Sequence, residues 1–117
     1  MKNTVNKSTG IILPIVLFLL FSYASAQQKQ DEPKDAKFYI DRGIAYGEKN
    51  QYDQAIADFT KALEIDPKSA DAYYNRAIAY YLTKEYNNSW KDVQKAQDLG
   101  YKIPSNFLEN LRKALKW

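Results

Sequence analysis

Shifting the sequence along itself by 34 residues lays Ala36–Ser69 over Ala70–Ile103. Ala36 falls on Ala70, Tyr39 on Tyr73, Arg42 on Arg76, and Ile44-Ala45-Tyr46 on Ile78-Ala79-Tyr80. Further on, Tyr52 meets Tyr86, Asp58 meets Asp92, Lys61-Ala62 meets Lys95-Ala96, and Lys68 meets Lys102. A fixed period of this length marks a stacked-repeat architecture. One unit cannot bury its apolar face alone, and neighbouring units share a continuous core.

Within each copy the apolar positions keep helical spacing. Tyr39, Gly43 and Tyr46 recur at i, i+4 and i+7, one face of a 3.6-residue period. The polar run Lys49-Asn50-Gln51 breaks the pattern. A second stripe follows in Tyr52, Ala55-Ile56, Phe59 and Ala62-Leu63, and Asp66-Pro67 ends it, because proline disfavours helix at the residue before it. The second copy repeats this with Tyr73, Ala77 and Tyr80, then Tyr86, Ser89-Trp90, Val93 and Ala96. Gly43 costs about 1 kcal/mol of helix propensity against alanine. Its expected use is a close approach of the second helix.

At these positions the chain resembles the tetratricopeptide family, a helix–turn–helix repeat. Tyr39 stands at the Trp/aromatic position, Gly43 at the small residue and Tyr46 at the aromatic that follows. Tyr52 opens the second helix, Ala55, Phe59 and Ala62 form its packing face, and Pro67 closes the unit. The second copy departs from the pattern at Ser89 for the packing alanine, Val93 for the aromatic, and Gly100-Tyr101 for Asp-Pro. The resemblance covers about two-thirds of the chain and is specific for fold rather than function.

The expected fold is all-α: antiparallel helix-hairpin repeats forming a fragment of an α-solenoid, five helices after an N-terminal signal segment. Residues 1–26 carry the marks of an export signal. Lys2 and Lys7 form a basic n-region, Ile11–Phe21 is apolar apart from Pro14, and Ala24-Ser25-Ala26 is a small-x-small cleavage site. The apolar run is well short of the ~20 residues a spanning helix needs, so cleavage into the periplasm or medium is favoured over a retained anchor. Residues 27–35 have no apolar side chain and form a polar linker, and residues 36–69 and 70–103 are the two repeats. Residues 104–117 form a capping helix with an apolar face of Phe107, Leu108, Leu111, Ala114 and Leu115. Gly100 suits a helix C-terminus, and Pro104 the first turn of the last helix.

Composition removes most chemistries. With no His and no Cys, the commonest general base, the thiol nucleophile and the usual zinc ligands are missing. There is no Gly-rich phosphate loop and no oxygen-rich calcium loop, and the serines have no His to activate them. No enzyme, metal or cofactor is expected. Removing Lys2 and Lys7 from the 17 basic residues leaves 15 against 14 acidic ones. The basic balance therefore belongs largely to the leader and marks neither a nucleic-acid nor an anionic-membrane footprint. No small-molecule substrate is indicated, and the mature form is not expected to sit in a membrane. Asn87-Asn88-Ser89 matches a glycosylation sequon but opens a helix, where coincidence is the better account.

Two sets of residues are singled out. Arg42 and Asp58 lie 16 apart, as do Arg76 and Asp92. On adjacent antiparallel helices that spacing predicts an Arg–Asp ion pair inside each hairpin, setting its register more than adding stability. The second set follows from the resemblance, which implies a concave groove for peptides or partner helices. One wall would hold Lys37, Ile40, Asp41, Ile44 and Gly47; the other would hold Asp71, Tyr74, Asn75, Ile78, Tyr81 and Leu82. The carboxylate clamp of some relatives is not expected, since its basic positions are Ile40 and Ile44 here and only Asn75 matches. The apolar stripe has rival uses: burial under the N-terminal tail, under a second copy or, in repeat two, beside the capping helix. Two repeats fall short of the three or so that stability usually needs, so self-association stays open. The expectation is an exported interaction module for a protein or peptide; its alternative is a small homo-oligomer whose stripe is its own interface.

Overall fold

The structure is a computed structural model, and it describes residues 35–117. The expected signal and nearly all of the expected linker lie outside the described residues. Five helices follow in order: α1 (Ala36–Glu48), α2 (Tyr52–Ile65), α3 (Ala70–Leu82), α4 (Tyr86–Asp98) and α5 (Ser105–Ala114). α1 packs on α2 and α3 on α4 as hairpins, while α2 meets α3, α1 meets α3, and α4 meets α5.

The same local devices start and stop the helices in both repeats. Asp35 is extended and its carboxylate accepts from the Phe38 N–H at 2.8 Å. Ser69, one period later, accepts from the Ala72 N–H at 3.3 Å. Each satisfies a backbone donor that the first turn leaves unpaired. Asp35 thus belongs to α1 rather than to the linker. At the other end, Asn50 and Lys84 take the left-handed conformation, with φ of 59° and 64°. The N–H after each turns back, Gln51 donating to the Tyr46 carbonyl and Glu85 to the Tyr80 carbonyl. This is the Schellman stop. Gly100 (φ 89°) and Lys116 (φ 60°) end α4 and α5 in the same way. Only α2 differs: Asp66 is extended before Pro67 and its carboxylate accepts from the Lys68 N–H. Pro104 precedes α5 instead of entering its first turn, with φ −58° and ψ 133°.

Side-chain volume decides how closely the helices of each hairpin approach. A Cβ on Gly43 would lie 2.6 Å from Phe59 Cε1, so only glycine fits opposite that ring. In repeat two both partners change. Ala77 replaces the glycine and Val93 replaces the phenylalanine, and both are fully buried. Ser89, where Ala55 sits in repeat one, is also fully buried, and its hydroxyl donates to the Ala77 carbonyl at 2.7 Å. Its polar atom is thereby satisfied without water. α5 closes the open end by burying Leu111, with Phe107, Leu108 and Leu115 packed beside it on Ala77, Val93, Ala96 and Ile103.

Candidate functional site

The repeated Arg–Asp residues meet in both hairpins. Arg42 donates from Nε to Asp58 Oδ2 at 2.7 Å and from Nη2 to Oδ1 at 2.8 Å. Arg76 makes the same fork to Asp92 at 2.7 and 2.8 Å. Two parallel N–H···O bonds are the strong geometry for this pair. The guanidinium also lies by the rings one turn to either side: Tyr39 and Tyr46 flank Arg42, and Tyr73 and Tyr80 flank Arg76. The bond to Asp58, and likewise that to Asp92, raises each arginine above its ordinary value even though burial opposes it. The environments differ. Arg76 also donates to Thr60 Oγ1 of repeat one at 3.1 Å, and its side chain is 17% exposed against 45% for Arg42. With their donors committed to resident carboxylates, these arginines are part of the scaffold.

A cleft of about 260 Å³ opens between α1 and α3, near their C-terminal ends. Ile44, Gly47 and Glu48 line it from α1, and Asn75, Ile78, Ala79 and Leu82 from α3. Gly43, Ala55 and Phe59 form its floor and Tyr52 closes one end. Ile44 and Leu82 are 39% and 47% exposed although aliphatic. A Cβ on Gly47 would meet nothing within 4 Å, so this glycine leaves space that no neighbour fills.

Five of the eleven groove residues drawn from the sequence therefore line one cleft: Ile44, Gly47, Asn75, Ile78 and Leu82. The others go elsewhere. Lys37 and Asp41 bond to each other at 2.6 Å on the exposed side of α1. Ile40 is partly buried against repeat-one core residues together with Ala72 and Ala79 of α3. Asp71 is exposed, and its carbonyl accepts from the Asn75 amide at 2.9 Å. Tyr74 stacks on Tyr101 at 4.8 Å and meets Phe107 edge-on at 5.8 Å; Tyr81 meets Phe107 and Tyr86, each at 5.5 Å. The wall assigned to repeat two is thus divided, its tyrosines turned to the cap and its aliphatics to the cleft. Glu48, Tyr52 and Phe59 line the cleft without having been assigned to it. Glu48 and Tyr52 straddle the turn where the periodic stripe stops, so helical spacing alone does not reach them.

Comparison with known proteins identifies the fold. The family model described as TPR repeat matches residues 43–84, from the middle of α1 to just past the end of α3. The fold is that of tetratricopeptide repeats. It has two repeats and a C-terminal capping helix. Among solved structures, this tetratricopeptide fold is similar to the first TPR of Spaghetti (RPAP3) bound to the HSP90 peptide SRMEEVD. The TM-score is 0.69 at 20% identity, over 74% of this chain and 70% of that one. It is also similar to YrrB, described as a TPR protein with an unusual peptide-binding site. There the TM-score is 0.67 at 26% identity, over 78% of this chain and 48% of YrrB. The chain thus spans about half the length of YrrB. No curated protein matches the sequence. Among the described residues no group of three or more acidic, His or Cys side chains could hold a metal, and no helix is long and apolar enough to cross a membrane.

Proposed function

We propose that this domain is a non-catalytic interaction module that holds an extended peptide, or a segment of a partner protein, across its concave face. One apolar side chain of the partner sits in the cleft between α1 and α3. The observation that carries this reading is the cleft itself: an apolar space of about 260 Å³ with exposed aliphatic walls and a glycine that leaves room. Binding sites of this kind are concave and mostly apolar, with a few placed polar groups. Asn75 and Glu48 supply those groups here. The peptide bound to the Spaghetti domain and the peptide-binding site ascribed to YrrB support a peptide-binding use of this fold.

The module works outside the cytoplasm in this reading, supported by Lys2, Lys7, the Ile11–Phe21 run and the Ala24-Ser25-Ala26 site. Intact-mass measurement of the protein recovered from producing cells tests it. A chain beginning at Gln27 supports export, and a chain retaining its leader overturns it.

The binding reading is tested by placing at Gly47 the residue that repeat two carries there. A Gly47→Tyr variant folds, since nothing stands within 4 Å of the new Cβ, but it fills the cleft and abolishes peptide binding. A variant that still binds at full strength would remove the cleft from the mechanism. The exposed Ile44 and Leu82 also favour a second reading, a self-association surface. Sedimentation velocity separates the two: a dimer that Gly47→Tyr dissociates places a second copy in the cleft.

A further inference from the structure

The rim of the cleft is chemically one-sided. Of all the side chains lining it, only Glu48 is charged. Glu48 has no ion pair among the described residues. Of the other polar side chains there, the Tyr52 hydroxyl donates to Asn50 Oδ1 at 2.7 Å, and one of the two Asn75 amide N–H groups donates to the Asp71 carbonyl at 2.9 Å. The Glu48 carboxylate can only accept, while the Asn75 amide keeps its acceptor oxygen and one N–H. The carboxylate of Asp71, one turn before Asn75, is exposed and also without an ion pair among the described residues. The two cations of α1 are both paired, Lys37 with Asp41 at 2.6 Å and Arg42 with Asp58 at 2.7 Å, and Lys49, next after Glu48, is not part of the lining. An anionic ligand would meet a carboxylate and no cation in the lining.

We infer that the cleft selects a cationic peptide segment, in which an aliphatic side chain fills the space beside Ile44, Ile78 and Leu82 while a neighbouring lysine or arginine is held by Glu48. This rests on the peptide-binding reading above and adds the sign of the partner. Repeat two carries Leu82 where repeat one carries Glu48. The acidic contact is therefore a property of the α1 side, and it places the basic residue over the α1 wall. Exposed charge pairs are worth about 0.2–1 kcal/mol each. Exchanging an attracted for a repelled charge therefore changes affinity about tenfold at low salt, with the gap closing as salt screens it.

Three end-blocked peptides test this by NMR titration of the folded protein: Gly-Lys-Leu-Lys-Gly, Gly-Ser-Leu-Ser-Gly and Gly-Glu-Leu-Glu-Gly. Shifts at Ile44, Ile78 and Leu82 report occupancy of the cleft. The expected order is lysine peptide, then serine, then glutamate, with about tenfold between the first and last. Glu48→Gln should narrow that gap to about threefold. If all three occupy the cleft equally, the charge selection is overturned and the peptide site stands. If none shifts the cleft residues, the peptide site falls with it. Selection of the lysine peptide that Glu48→Gln leaves unchanged would assign the preference to some other acid and overturn the role of Glu48.

Discussion

The groove runs past two junctions between first helices, α1 to α3 and α3 to α5, and they have opposite characters. At the second, Tyr74, Tyr81, Tyr101 and Phe107 interlock ring against ring. At the first, the residues one period earlier than Tyr74 and Tyr81 are Ile40 and Gly47, and a cleft remains. Replacing two tyrosines by isoleucine and glycine removes most of the volume that could fill the junction. One repeat template thus yields a sealed end and an open site, and the difference is side-chain bulk at two positions.

The hairpins differ just as instructively, and the differences can be broken one at a time. The largest effect is expected at the more buried ion pair. Asp92→Ala strands the Arg76 guanidinium and should cost about 3 kcal/mol, in the range for breaking a buried pair. Asp58→Ala should cost about half as much because Arg42 reaches water. Urea unfolding of both variants checks the order, and equal costs would mean that exposure does not set the difference. Next comes packing. Gly43→Ala should cost about 2 kcal/mol by overpacking against Phe59. Combined with Phe59→Val, which rebuilds the repeat-two pairing, the loss should fall short of the sum of the single losses by at least ~1 kcal/mol. Strict additivity would show that the two side chains are not coupled.

Smaller effects sharpen the junction comparison. Gly47→Ala should stabilise the chain by about 0.7 kcal/mol, since it gains helix propensity in open space; a loss in the same unfolding experiment would mean that the cleft is not open. The smallest effect is alkaline. Burial, and then the neighbouring Tyr101, hold the Tyr74 phenol above its ordinary value of 10.0. Tyr74 therefore contributes stability that is complete below pH 10 and is lost as pH rises through the higher folded value. Tyr74→Phe should blunt that alkaline loss, whereas a variant as alkali-sensitive as the parent would place the titration elsewhere.

Much of this was legible in the residues. Five helices, the paired Arg–Asp residues and the packing stripe follow from period and spacing, because backbone geometry carries a short pattern directly into three dimensions. The site was less so. Periodicity assigns Tyr74 and Ile78 to one stripe, and only the placement of α5 decides that the first goes to the cap and the second to the cleft. Glu48 and Tyr52 were missed because the stripe stops at the turn they flank. Lys37 and Asp41 satisfy each other along α1, a pairing their i, i+4 spacing permits and which the groove pattern overlooked. The dependence of Gly43 on Phe59 shows only when the two helices are laid together.

The bond from Arg76 to Thr60 has a consequence for how the molecule opens. Among the described residues it is the one hydrogen bond between two side chains that joins the two repeats, and no equivalent bond is made by Arg42 among them. In a linear array, stability is the sum of each unit's own term and its coupling to neighbours. Among the described residues the first hairpin has a neighbour on one side, while the second is held from both. Local opening should therefore begin at α1 and travel inward. Thr60→Val should let the first hairpin exchange its amide hydrogens independently of the second. The half of the cleft that α1 supplies is then the least firmly held part of the two hairpins, and anything seated in that cleft would tie α1 to α3.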